Sequence, residues 1–196
     1  MNPKEIPSKP HPLEQFHYCP RCGAKTFVPH NFKAKECRTC GFVYYFNPSS
    51  AVACFIRNAG GEILLVRRKK DPARGTLDLP GGFVDMYESG EDAARREVRE
   101  ETGLELQDCR YLFSIPNIYL YSGFEVHTLD MFFLCEAADF SVARAADDAA
   151  EVLAVRPEAL DPEKFGLQSI RQAVARVLRD GTLLSAPKPL QSAPGK

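Results

Sequence analysis

GFVDMYESGEDAARREVREETGL, residues 82–104, decides how this chain is read. It follows a Gly-Gly bend, offers Ser89 as a helix N-cap with Asp92 three residues on, and stops at Gly103. Within the helix, Glu97, Glu100 and Glu101 stand at i, i+3 and i+4, so about 100° per residue gathers three negative charges on one face. Like charges so placed oppose one another, and the helix gains nothing from them unless a cation neutralises the cluster. A solvated face paired with Arg95, Arg96 and Arg99 is the alternative that the local sequence allows. Carboxylate oxygens are hard ligands that suit Mg²⁺ or Mn²⁺ and, through such an ion, a phosphate-bearing substrate. Ala94 and Val98 lie on another side of the same helix and are predicted to anchor it to a sheet.

Outward from this helix, AVACFIR and EILLVRR read as a hairpin turning at Asn58–Gly61. After it, LQDCRYLFSI, NIYLYSGF and EVHTLDMFFLCEA return to β character, so three strands are predicted over 106–136. ADFSVARAADDAAE is too polar for a strand and is expected as an exposed loop before a last strand, EVLAVR. Leu167, Ile170, Val174, Val177 and Leu178 then recur at helical spacing up to Gly181. Strands interleaved with one mid-chain and one terminal helix predict an α/β fold whose mixed sheet is covered on both faces.

Toward the N-terminus, Cys19-x-x-Cys22 and Cys37-x-x-Cys40 supply four thiolates at the spacing of a closed tetrahedral site, a strong signal for structural Zn²⁺. Phe42, Tyr44, Tyr45 and Phe46 end this ribbon and could be covered by the chain itself or by a second copy, so a homodimer is expected. Cys54, Cys109 and Cys135 sit in apolar runs and read as core. The predicted plan is a flexible lead-in over 1–16, a zinc ribbon over 17–47, a catalytic domain over 48–182 and a disordered tail over 183–196.

Composition limits the partners. Twenty-five basic against 26 acidic residues leave a net charge of −1, which gives no global field for long nucleic acid. No run of eighteen apolar residues and no signal-peptide pattern is present, so a soluble, cytoplasmic protein without membrane contact is expected.

The spacing Gly-x5-Glu-x7-Arg-Glu-Val-x-Glu-Glu-x-Gly-Leu matches the Nudix box at all nine fixed positions, and on these residues the chain resembles the Nudix hydrolases. That resemblance implies an α/β/α sandwich that hydrolyses a nucleoside diphosphate linked to another moiety. It gives Glu97, Glu100 and Glu101 the role of Mg²⁺ or Mn²⁺ ligands and allows the Gly82 carbonyl to join them. Glu88 and Arg96 become the pair bracing the loop against the helix. The family's general base is often a glutamate before a late strand, where Glu151 stands, with Asp147 and Asp148 as neighbours that could replace it. Arg67 and Arg68 end a strand facing the box loop, where a guanidinium would clamp phosphate.

A ribbon joined to such a domain is similar to the NADH pyrophosphatases. Their Ser-Gln-Pro-Trp-Pro-Phe-Pro signature survives here only as Ser114 and Pro116, and the chain has no Trp. Phe113, Tyr119, Tyr121 and Phe124 remain as candidates to stack a base, or as plain sheet aromatics. The expected substrate is therefore a small nucleotide such as NADH, ADP-ribose, FAD or a dinucleotide. Decapping of nucleotide-capped RNA and a non-catalytic nucleotide-sensing regulator are the alternatives.

Overall fold

The computed structural model describes residues 10–183, apart from the side chain of Tyr119. Two sheets organise it. The first is antiparallel and three-stranded, formed by β1 (Phe27–Asn31), β2 (Ala34–Cys37) and β3 (Val43–Tyr45) in that order. Each cysteine pair turns tightly at its end, with the Gly23 N–H donating to the Cys19 carbonyl and the Gly41 N–H to that of Cys37, both at 2.9 Å.

The second sheet contains β4 (Ser49–Arg57), β5 (Ile63–Arg68), β6 (Leu77–Asp78), β7 (Asp108–Tyr121), β8 (Phe124–Glu136) and β9 (Ala149–Val155). Its main path runs β6-β5-β4-β8-β7, with β9 also paired to β5. Only β4 and β8 run parallel, so the sheet is mixed. Two helices cover it: α1 (Gly90–Thr102) packs Ala93, Ala94 and Val98 with Cys54, Leu64 and Cys135. On the opposite face, α2 (Gln168–Arg179) packs Ile170, Ala173, Val174 and Val177 against Phe55, Leu65 and Phe132. Alternation along β4, β5 and β8 sends successive side chains to the two layers, which is why those strands read as continuous apolar runs.

Four features differ from the sequence reading. Residues 108–121 form one strand, because β7 is an edge strand and an edge tolerates Pro116, which has no N–H to give a second neighbour. The loop expected before the last strand is shorter, since β9 starts at Ala149. The two-residue β6 and the 3-10 turns at Pro157–Ala159 and Pro162–Lys164 carry too little pattern to be read in advance. The stretch expected as a flexible lead-in is, from residue 10, attached to the ribbon: Leu13 is fully buried, the His11 ring bonds the Asn31 carbonyl at 2.8 Å, and Lys35 donates to the Phe16 carbonyl. The expectations for residues 1–9 and 184–196 lie outside the described residues.

Candidate active site and metal centre

The bend Pro80–Gly82 fixes the site by lying against the backbone of β4. The Val52 N–H donates to the Gly82 carbonyl at 2.8 Å and the Cys54 N–H to that of Pro80 at 2.9 Å. No side chain fits here: a Cβ on Gly81 would overlap the Val52 carbonyl, and one on Gly82 would lie 2.6 Å from the Glu97 carboxyl. The absence of a side chain at Gly82 lets the Glu97 carboxyl lie against the bend, and the Gly82 carbonyl accepts from Val52 with a second lone pair left over.

α1 delivers the carboxylates. Ser89 caps its N-terminus, with Oγ accepting from the Asp92 N–H at 3.1 Å and donating to the Asp92 carboxylate at 2.6 Å. From this helix Arg96 grips the preceding loop, with two parallel bonds to Glu88 at 2.9 Å and a third to the Phe83 carbonyl at 2.9 Å. The same guanidinium bridges Glu97 at 2.7 Å and Glu100 at 3.2 Å. These contacts hold the Glu88 carboxyl below the usual carboxylate range, whereas burial pushes that of Glu97 up despite Arg96. Glu101 turns inward and accepts from the Gly81 N–H at 3.1 Å. Burial raises its carboxyl to about 8, with Asp78, Glu97 and Asp148 adding to the effect and the Gly81 N–H opposing it.

In front of Glu101 lies a cavity of about 410 Å³. Gly81, Gly82, Phe83, Arg68 and Tyr121 contribute to its walls, together with Asp148, which the sequence offers as an alternative to Glu151, and Lys70, Asp78, Asn117 and Asp130, which it does not single out. The last four are single polar residues on the loop after β5 and on β6, β7 and β8, and only folding brings them together. Arg68 already holds buried Asp78 at 2.6 Å and the Pro72 carbonyl at 2.7 Å. Lys70 pairs with Asp148. Both cations are thus committed, and acidic groups outnumber them.

Other candidates fall elsewhere. Arg67 bonds Glu151 at 2.8 Å, opposite it in the β5–β9 register, and the Gly75 carbonyl at 3.0 Å; neither residue lines this cavity. The ring of Phe113 packs on Phe132 at 5.3 Å under the Arg176 guanidinium, and Phe124 packs on Phe16 and Phe46 at 5.6 and 5.5 Å, so both are sheet aromatics. Tyr119 has no described side chain.

Among the described residues, one group of potential metal ligands has its donor atoms within 4.8 Å of one another: Cys19, Cys22, Cys37 and Cys40. The four sulfurs form a closed cluster at the knuckle turns, which fits a structural ion. The three glutamates of α1 are less tightly gathered, since Arg96 lies between two of them.

A family model described as NUDIX domain matches residues 47–180. The chain belongs to the Nudix family. Structures carry the same fold: a NUDIX hydrolase from Nitrosomonas europaea superposes with a TM-score of 0.65 at 21% identity, covering 83% of this Nudix chain and 90% of that one. MutT NUDIX hydrolase from Burkholderia pseudomallei gives 0.54 at 27% identity, over 67% and 99%. Among curated relatives, NAD-capped RNA hydrolase NudC of Haemophilus influenzae (strain PittGG) is 35% identical over 108 residues, which is 54% of this chain and 40% of that protein. The corresponding protein of Vibrio cholerae is 27% identical over 178 residues, or 88% and 60%. The chain spans about two fifths of the length of the curated relatives it matches first. No described helix is long and apolar enough to cross a membrane.

Proposed function

We propose that this chain hydrolyses a pyrophosphate bond in a nucleoside diphosphate linked to another moiety, of the NAD(H) or ADP-ribose class. The observation that carries this reading is the pairing of an intact box helix with an acidic cavity whose two cations are already ion-paired. A diphosphate cannot enter such a cavity against net negative charge unless a divalent ion comes with it. The donor set around Glu101 consists of oxygens, which fits a hard cation such as Mg²⁺ or Mn²⁺. Glu97, Glu100 and Glu101 would hold it. When bound, such an ion polarises phosphoryl oxygens and lowers the pKa of water.

The chain's own groups do the rest. Arg96 fixes the loop and orients Glu97 and Glu100; the Gly81 N–H positions Glu101. Tyr121 offers a face to a base or nicotinamide ring. As proton acceptor for the attacking water we assign Asp148 in preference to Glu151, because Asp148 lines the cavity while Glu151 is held by Arg67 outside it. For the cysteine cluster we assign Zn²⁺, whose preference for four thiolates and lack of redox chemistry suit a structural site. The similarity to NAD-capped RNA hydrolases favours a dinucleotide, free or at an RNA end.

The test is a panel of NADH, ADP-ribose, FAD and NAD-capped RNA with Mg²⁺ or Mn²⁺, scored for released monophosphate. Glu101→Gln is expected to lose turnover by at least about a hundredfold while melting cooperatively. A loss of only a few-fold would remove Glu101 from the metal site, and no release from any member would remove the activity.

A further inference from the structure

The inner wall of the cavity is built differently from its acidic mouth. Asn117 on β7 faces Thr128 on β8 across the ladder, and Asp130 follows Thr128 two residues later on the same face. All three are buried, at 9%, 2% and 7% exposure, and all three line the cavity. The Thr128 hydroxyl donates to one oxygen of Asp130 and the hydroxyl of Ser169, at the start of α2, to the other, both at 2.5 Å. Two hydroxyls thus fix the carboxylate in place, yet among the described residues no cation pairs with it.

Asn117 is the odd member. Its carboxamide has no hydrogen-bond partner among the described residues, although nine-tenths of the residue is buried. No fully enclosed side-chain nitrogen or oxygen in the described chain lacks a partner. The unpaired amide atoms of Asn117 therefore open onto the cavity.

We propose that Asn117 and Asp130 determine substrate choice by reading the hydrogen-bonding edge of a planar heterocycle, and that the edge they require carries an exocyclic NH₂ beside an acceptor. This rests on the hydrolytic reading above and names the part of the substrate that is not cleaved. The donor requirement comes from Asp130. Asn117 can turn its amide to offer either a donor or an acceptor, but an ionised carboxylate only accepts. Asp130, with both oxygens already accepting hydroxyls, still has lone pairs free, and its charge repels a carboxylate or a carbonyl edge placed against it. An aminopurine edge and a carboxamide both meet the requirement, while their deaminated counterparts place a carbonyl or carboxylate oxygen against Asp130. Thr128 and Ser169 are positioning residues that act through Asp130.

Binding of product-like mononucleotides separates this from turnover. Calorimetry with Mg²⁺ present compares AMP with IMP in one arm, and nicotinamide mononucleotide with nicotinate mononucleotide in the other. In at least one arm the NH₂ form is expected to bind about tenfold or more tightly, because a site built for a donor leaves its acceptor unpaired with the wrong ligand. The arm that discriminates tells whether the base or the nicotinamide end occupies the wall. Asn117→Leu and Asp130→Asn are expected to narrow that preference to about threefold or less, the second because an amide can turn to suit either edge. The same pairs built into dinucleotides should differ in KM more than in kcat. Equal binding of all four ligands by the wild type overturns the proposal. So does a preference kept in both variants at unchanged melting temperature. Hydrolysis without preference would remove only this inference, whereas preference without hydrolysis would remove only the activity.

Discussion

Burial sets the behaviour of Glu101 before any cation arrives. Its carboxyl is lifted to about 8 from an ordinary 4.5, chiefly by loss of water and then by Asp78, Glu97 and Asp148. In the metal-free protein the native state therefore keeps a proton that the unfolded chain releases between those values. The native state binds more protons across that window, so stability must fall as pH rises from about 4.5 to 8 and level off above it. Burial pushes Asp78 in the same direction and reinforces the trend. Thermal melts of chelator-treated protein should show the decline, and Glu101→Gln should flatten it, ending roughly a few degrees above wild type at pH 8.5. Added Mg²⁺ should raise the wild-type melting temperature more at pH 8 than at pH 5.5. An apo-protein equally stable across the window would contradict the buried, proton-holding state of Glu101. The glutamates were legible in the sequence because a helix repeats them at fixed spacing. Asp78, Asn117 and Asp130 were not, since a lone polar residue in a strand looks the same whether it faces water or a cavity.

One helix and one loop share a single fastening. Arg96 makes five hydrogen bonds, two to Glu88 and one each to Phe83, Glu97 and Glu100, with a fork that only a guanidinium provides. Arg96→Lys keeps the charge but cannot span these acceptors. Turnover should drop by about tenfold or more, as the loop and two carboxylates lose their common reference. Ser89→Ala supplies the contrast: loss of the cap should cost about 1 kcal/mol in urea unfolding and leave kcat nearly unchanged, since the cap lies away from the carboxylate face. If both variants lose turnover alike, the fastening is general helix stability and not orientation of the glutamates. α1 was readable because its cap, stop and periodicity agree. β7 was split at Pro116 because position at the edge of a sheet, which excuses the proline, is a tertiary fact.

Across the molecule, two cores rest on different chemistry. The ribbon's apolar cluster of Cys19, Phe27 and Cys37 with a few half-buried neighbours, even with buried Leu13 and Ala34 added, is far too small to stand on apolar burial alone. The larger domain has a packed layer on each side of its sheet. With the ion proposed for the cysteine cluster in place, its removal should therefore melt residues 27–45 and leave β4, β5 and β8 protected. Hydrogen exchange with and without a strong chelator measures this, alongside thiol titration in which Cys19, Cys22, Cys37 and Cys40 become reactive while buried Cys54 and Cys135 do not. Global loss of protection would mean that the ribbon holds up the whole fold through Phe46, which packs on Phe124 and His127.

β7 has a further consequence for how copies of the chain meet. A fourteen-residue strand with one side unpaired is long enough to template a foreign strand, and Ile118, Leu120 and Tyr121 on it are exposed. Its register slips between Tyr111 and Phe113, and Pro116 lacks a donor three residues further on. An invading chain would meet a broken row of partners and find no long ladder to zip along, so the proline that hid this strand from a sequence reader also protects the protein from fibrous self-association.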